Sequence, residues 1–499
     1  MKERITFVHP QGIEVDPELL EVNANHLQGP SVKTIRETRL TVGVDELPTG
    51  LASLLQQYRD ISIRWASPFT YDTVEPFTSR LSPGLHVFYT PTGENAEHDQ
   101  LKLCTALQAF GSIDCMSAES FTSRGEGQPI NPSTATFHQA LEDMSTFINW
   151  ATKEICSEED SVCHSQVEAL STAVNLDISW DSTLQILRLS SLSPLVEQSI
   201  SALRSSNRRT EVGIFCRDTA PNQKPHEIGV SGLLTVLGEE KKPSGTLFGF
   251  ASRHRVGDVA FSSQFIFPTG LHPTLQLKLS SNQPPLTDNE CGIYAYLTLP
   301  RAIFADRYQL AEELFLASKN LTGLRYTSLP VDLEAPVFTT KTWGSRVLLQ
   351  LAPPHANTNE PETWTAEVPL HLRYLEPSVS GKVDIEVPYP AVFWACESSA
   401  DADFSNNPFD RTQLGYDGLF GERTVFWHAT PQPTSGNRTM TSISVPVLKE
   451  HGASLVGVGT AAAVALGFAW VLWKLAAVFA VSGHGRMSSE AQMESKKDK

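Results

Sequence analysis

Thr274-Leu275-Gln276-Leu277-Lys278-Leu279 alternates apolar and polar side chains with a period of two. Successive side chains of an extended segment point to opposite faces, so Leu275, Leu277 and Leu279 share one face and Gln276 and Lys278 the other. This is the pattern of a half-buried strand. It recurs in both directions along the chain. Upstream lie Leu85-x-Val87-x-Tyr89, Val212-x-Ile214-x-Cys216 and Phe265-x-Phe267. Downstream lie Cys291-x-Ile293-x-Ala295-x-Leu297-x-Leu299, Val347-x-Leu349-x-Leu351, Val368-x-Leu370-x-Leu372, Val383-x-Ile385-x-Val387 and Ile443-x-Val445-x-Val447. Breaks rich in Pro and Asn separate them, at 281–289, 353–361, 406–408 and 431–437. Many short strands punctuated in this way predict a mainly β fold of sandwich-like type.

Helical signal is strongest in the first half. Phe137, Leu141, Met144, Ile148 and Ile155 repeat at helical spacing after the prolines at 129 and 132. Ser193-Pro194 reads as an N-cap with proline in the first turn, predicting a helix toward Arg204. A short helical turn is expected within 304–319. The chain has 499 residues, enough for two large domains or three ordinary ones. The expected division is an α+β domain over 1–205, a β-rich domain over 206–450, a membrane helix over 453–481 and a tail over 482–499.

Residues 453–473 read ASLVGVGTAAAVALGFAWVLW, 21 positions without a charge. At about 1.5 Å per residue they extend about 31 Å, the thickness of a bilayer's hydrocarbon core. Lys474 follows beside Trp470 and Trp473, placed to snorkel to an interface. Upstream, Lys449 is offset by Glu450, whereas Lys474, Arg486, Lys496, Lys497 and Lys499 lie downstream. The positive-inside rule then puts the C-terminus in the cytosol and the bulk of the chain across the membrane. Lys496 and Lys497 stand four and three from the end, like the dilysine signal that retrieves membrane proteins to the endoplasmic reticulum. The first ten residues argue the other way. They show no apolar signal core, which alone would suit a tail anchor with a cytosolic body. The sequons at Asn320 and Asn437 carry glycan only if the body is lumenal.

Charge and motifs narrow the chemistry. The formal net charge is −17, a surface that repels phosphate backbones, so no nucleic-acid role is expected. Seven cysteines include no C-x-x-C pair, and their odd number leaves at least one without an intramolecular partner. No metal site, cofactor or catalytic residue is assigned. His226-Glu227 starts like a metalloprotease helix, but Val230 stands where the second histidine belongs. Asp401-Ala402-Asp403 matches a cation-binding D-x-D, without the nucleotide-binding pattern that should surround it. Gly457-Val458-Gly459 lies inside the apolar span, with no strand before it. Cys163-His164 lacks the partners of a nucleophile, and there is no phosphate loop.

A string of short motifs occupies the second half. Gly270-Leu271-His272-Pro273-Thr274 leads into the strand first quoted. Then come Leu299-Pro300-x-x-Ile303-Phe304-Ala305-Asp306-Arg307-Tyr308-Gln309-Leu310 and Asp332-Leu333-Glu334-Ala335-Pro336. Val368-Pro369-Leu370-His371-Leu372-Arg373-Tyr374 follows, and Ile443-x-Val445-Pro446-Val447 runs into the span. In order and spacing this set resembles the PIG-X family over about 265–481, in the longer form that fungi carry. The sequence departs from it at Arg307 and Gln309, where animal relatives more often have Pro and Glu. The resemblance implies a type I protein of the endoplasmic-reticulum membrane with a lumenal β-rich body. It implies a non-catalytic, stabilising subunit of glycosylphosphatidylinositol (GPI) mannosyltransferase I, which adds the first mannose to the anchor precursor from dolichol-phosphate-mannose. The chemistry would belong to a multi-span catalytic partner. His371, Arg373 and Tyr374, together with the span, are the expected contact surface, and ordinary cross-strand pairing accounts for those three residues equally well. A membrane-anchored chaperone for lumenal proteins is the alternative. A tethered enzyme using Asp401 and Asp403 is a third reading.

Overall fold

The alternation becomes sheet almost everywhere it occurs. A computed structural model describes residues 1–482 except 14, 93–95, 123–134, 206–207, 220–222, 288–289, 329–332, 343–344, 356–360 and 400–401. Of the described residues 43% are strand and 22% helix. One compact unit comprises Met1–Tyr374 with Ile385–Ile443, and a second comprises Leu375–Asp384 with Ser444–Lys499.

The first unit contains two large sheets. The strands of the first are β1 (Lys2–His9), β2 (Glu21–Val22), β3 (His26–Gly43), β4 (Tyr58–Ala66), β5 (Gly84–Pro91), β6 (Ala135–Gln139), β7 (Asn175–Asp181), β8 (Ile186–Leu203), β9 (Arg209–Asp218), β10 (Glu227–Val236) and β11 (Ser244–Ala251). Their order is β11-β10-β9-β1-β3-β8-β7-β4-β5-β6, with β2 beside β3. Only the β1–β9 pairing is parallel, setting Lys2 opposite Arg209 and His9 opposite Cys216. The division expected at 205–206 falls between β8 and β9, two strands of this one sheet.

The second sheet takes β12 (His254–Phe265), β13 (Thr274–Leu279), β14 (Cys291–Leu299), β16 (Leu321–Thr327), β17 (Ser345–Leu351), β18 (Trp364–Pro369), β21 (Ala391–Glu397) and β22 (Thr424–Pro431). Their order is β16-β17-β14-β21-β22-β12-β13-β18, with β12 parallel to β22. Two ribbons complete the strands: β15 (Ile303–Phe304) with β19 (His371–Leu372), and β20 (Lys382–Pro388) with β23 (Met440–Pro446).

Helices α1 (Thr49–Leu55), α2 (Ala96–Leu107), α3 (Ser145–Glu154) and α4 (Ser161–Glu168) lie in the first half. Leu103, Leu107, Phe147 and Ala151 pack from them onto Trp65, Leu85, Val87, Tyr89 and Trp180 of the sheet. A second core joins Ala66 of β4 to Tyr296, Phe393, Tyr416 and Phe426, so the two sheets share buried surface. A short α5 (Glu313–Ser318) falls within the turn expected at 304–319.

Two helical expectations fail. Residues 193–203 are the end of β8, because pairing with β3 outweighs the local capping signal. The register jumps between Thr34↔Val196 and Arg36↔Ser193, so Pro194 sits at a bulge, where its missing N–H costs least. The expected helix over 137–155 starts only at Ser145, since Phe137 belongs to β6, whose register with β5 sets it opposite Val87. Two strand readings also shorten. Phe267 lies beyond β12, and Leu370 separates β18 from β19 with its N–H donated to Pro273 O at 2.9 Å.

Three disulfides join Cys104 to Cys115, Cys156 to Cys163 and Cys291 to Cys396. Cys291 and Cys396 face each other directly across β14 and β21. Among the described residues Cys216 is the free thiol.

In the second unit, Ser378 N–H donates to Leu448 O at 3.1 Å and Glu450 N–H to Ser378 O at 3.1 Å. From there rises α6 (Glu450–Ser482), 33 residues long.

Candidate functional site

The His371–Tyr374 segment is built by the short β15–β19 ribbon. Pairing sets His371 opposite Phe304, and Arg373 N–H donates to Ala302 O at 2.9 Å. Arg373 is buried; its guanidinium lies 4.6 Å from the Phe304 ring centroid and donates to Ala335 O at 2.8 Å. A cation held over an aromatic face in a buried site is structural glue. His371 is half-buried, with Nδ1 3.1 Å from His272 Nδ1 and Nε2 3.1 Å from Gln309 Oε1. Burial lowers its pKa first, and the neighbouring His272 adds to that. Tyr374 alone of the three turns its side chain fully to solvent. The spacing therefore marks a real turn of structure and only one freely presented contact residue. The 299–310 motif supplies its floor through Ile303, Phe304, Ala305 and Leu310, all buried.

Both sequons lie on the surface. Asn320 holds φ at 55° and donates Nδ2–H to Thr365 O at 2.7 Å, while Thr322 Oγ1 donates to Leu351 O. Asn437 is exposed, and the hydroxyl of Thr439 behind it donates to Pro68 O at 3.0 Å. Lys496 and Lys497 lie outside the described residues, as does Asp401.

Asp403 is fully exposed and accepts from the backbone N–H and hydroxyl of Ser405, which lower its pKa. That is a local turn capped by its own aspartate. His226 is buried beside the Phe404 ring, and Glu227 starts β10 with Oε2 accepting from Lys224 N–H. Among the described residues no three His, Cys, Asp or Glu side chains are arranged to hold a metal ion.

The buried polar groups are the part that spacing did not reveal. Three carboxylates are each gripped by two arginines: Glu37 by Arg4 and Arg39, Glu75 by Arg217 and Arg255, Asp177 by Arg64 and Arg411. Arg4 and Arg39 also converge on Pro408 O, each at 2.8 Å. The 404–412 segment is thereby bound to the first sheet around a cavity of about 90 Å³. Asp410 in its wall is pushed up to about 6 by burial. Two histidine pairs are buried as well, His254 with His428 at 3.0 Å and His86 with His138 at 4.5 Å between ring centroids. Arg411 and Asp177 are 234 positions apart and His254 and His428 are 174 apart, so no local pattern announces those contacts.

The remaining feature is α6. Its most apolar stretch has mean hydropathy 2.1 and none of it is buried. At 1.5 Å per residue 33 residues span about 50 Å, more than a bilayer's hydrocarbon thickness. Lys474 Nζ sits 4.7 Å from the Trp470 ring and 5.0 Å from Trp473, the interfacial cluster expected from the spacing.

Comparison with known proteins places this geometry. The family model described as PIG-X / PBN1 matches residues 268–476. Protein PBN1 of Gibberella zeae is 51% identical over 498 residues, covering all of both chains. Protein pbn1 of Neurospora crassa is 48% identical over 98% of each. Protein PBN1 of Yarrowia lipolytica is 27% identical, covering 81% of this chain and 82% of its own.

Proposed function

The chain belongs to the PIG-X / PBN1 family, and on that premise we propose that it is the non-catalytic, stabilising subunit of GPI mannosyltransferase I in the endoplasmic reticulum. In this reading the β-rich body is lumenal, α6 crosses the membrane and the C-terminal residues are cytosolic. The observation that carries it is the unburied apolar helix joined to a large folded body, the one helix among the described residues long and apolar enough to cross a membrane. Such a helix has two ways to lose its exposed surface, lipid or a neighbouring helix. Small residues at Gly457, Gly459 and Ala461–Ala463 allow close approach by a multi-span partner. Binding a folded partner stabilises it by mass action, so the catalytic subunit is expected to decay when this chain is withdrawn.

Depleting the chain tests this directly. The expected result is a fall in both catalytic-subunit level and first-mannose transfer; unchanged values for both would overturn the reading. The lumenal placement has its own test. Glycosidase should shift the gel mobility of the natural chain, and replacing Asn320 and Asn437 by Gln should abolish that shift.

The chaperone reading draws on a different feature. β11 ends the first sheet, and Leu247 on it is exposed, so an extended client could add as a further strand. Capture of unfolded lumenal proteins in cells lacking the mannosyltransferase would favour this alternative.

A further inference from the structure

Five large apolar side chains stand in solvent at one place in the first unit. Phe267, Leu271, Tyr308, Phe338 and Tyr374 are 70, 53, 63, 63 and 69% exposed. They come from four segments that backbone hydrogen bonds hold together. Leu372 N–H donates to Leu271 O at 2.9 Å, and Val337 N–H donates to Tyr374 O at 3.0 Å. Phe267 and Leu271 share the hairpin loop closed by Ile266 N–H to Thr274 O at 2.9 Å. Tyr308 precedes Gln309, which is bonded to His371. Beneath them Phe304, Leu372 and Arg373 are buried, so the patch has a firm base.

A single exposed apolar residue needs no explanation, whereas a gathered set does. Four of the five are aromatic, and two of those carry a hydroxyl. This is the composition of side chains that settle in the layer between lipid tails and water. Arg307, its guanidinium 4.8 Å from the Tyr308 ring, adds a group suited to lipid phosphate. The chain itself indicates the membrane. The first unit's segment ends at Tyr374, and Leu375 opens the unit that carries α6. Ser378, bonded to Leu448 and Glu450 at the foot of that helix, is four residues past Tyr374, at most about 14 Å of extended chain.

We propose that this patch is seated in the interfacial layer of the membrane that α6 enters. It gives the body a second attachment to the bilayer besides the helix. The attachment is to lipid and does not require a protein partner.

The full chain in nanodiscs of phosphatidylcholine, with no other protein present, provides the test. In a Cys216→Ser background a nitroxide is placed at Leu271→Cys, Phe338→Cys or Tyr374→Cys, and at Leu247→Cys on β11 as reference. Collisions with oxygen, which concentrates in lipid, are compared with those of a water-soluble nickel chelate. The expected result is an oxygen-to-nickel ratio several-fold higher at the three patch sites than at Leu247→Cys. Equal ratios at all four sites would overturn the proposal. So would protection of the patch from both collision agents that arises only when the chain is co-purified with another membrane protein, which would make the patch a protein interface.

Discussion

Asp177 shows how individual residues hold the body together. Burial alone would raise its pKa, but Arg411 and Arg64 outweigh that and hold it below the ordinary carboxylate range. Removing one partner of a buried ion pair typically costs about 3 kcal/mol or more. Arg411→Met is accordingly expected to lower the urea midpoint of the full chain by that equivalent; a midpoint equal to the natural chain's would show that Arg64 suffices. The histidines make a separate prediction. Burial holds His86 at about 4 and His428 at about 3, against about 6.5 in an unfolded chain. Between pH 6.5 and 4 the unfolded chain binds protons that the folded imidazoles refuse, so stability falls as pH falls through that window. The slope is about 1.4 kcal/mol per pH unit for each imidazole. Asp177 acts in the same direction, but only below about pH 4, where an unfolded aspartate begins to protonate. Asp410, raised to about 6, takes up its proton in the folded chain and opposes this below about pH 6, but it is one group against the buried imidazoles. Urea unfolding at pH 7 and pH 5 measures the net effect, and coincident midpoints would contradict the histidine prediction. None of these contacts could be read from spacing. His371, Arg373 and Tyr374 were expected together as a contact surface, yet the strand is only two residues long and Arg373 turns inward.

Elements were legible where period-two patterning met a paired neighbour, as at 275–279, 291–299 and 347–351. They were misread where a local signal opposed a distant partner. Ser193-Pro194 is a reasonable helix start in isolation, but it lies in a strand that β3 pairs from Ser193 on to Leu203. Disulfide pairing was equally out of reach, because register decides which cysteines face each other. The loops closed differ greatly, 105 residues for Cys291–Cys396 and 7 for Cys156–Cys163. Chain-entropy arithmetic assigns about 5 kcal/mol to the first and about 2 kcal/mol to the second. The double variant Cys291→Ala/Cys396→Ala should therefore lose clearly more stability than Cys156→Ala/Cys163→Ala. Thermal unfolding of both in detergent checks the ranking, and a reversed order would point to structure retained in the unfolded chain.

At the scale of the molecule, fold class and the membrane helix could be read because both are repeating patterns of one chain segment. The extent of the first sheet could not, since its centre joins β1 to β9 across some 200 residues. A fragment ending at residue 205 lacks Val212 and Ile214, which share a core with Ile5 and Phe7. It should show no cooperative unfolding transition, whereas the full chain should; a sharp transition in the fragment would mean that β1 needs only β3.

That parallel pairing also sets a timetable. A ribosome adding about 5–20 residues per second needs roughly 10–40 s to pass from β1 to β9. Throughout that interval one edge of β1 has no strand to accept it. β12 then waits in the same way for β22. The middle of each sheet is thus closed late in synthesis, and the nascent chain must be shielded at both seams until the far partner emerges.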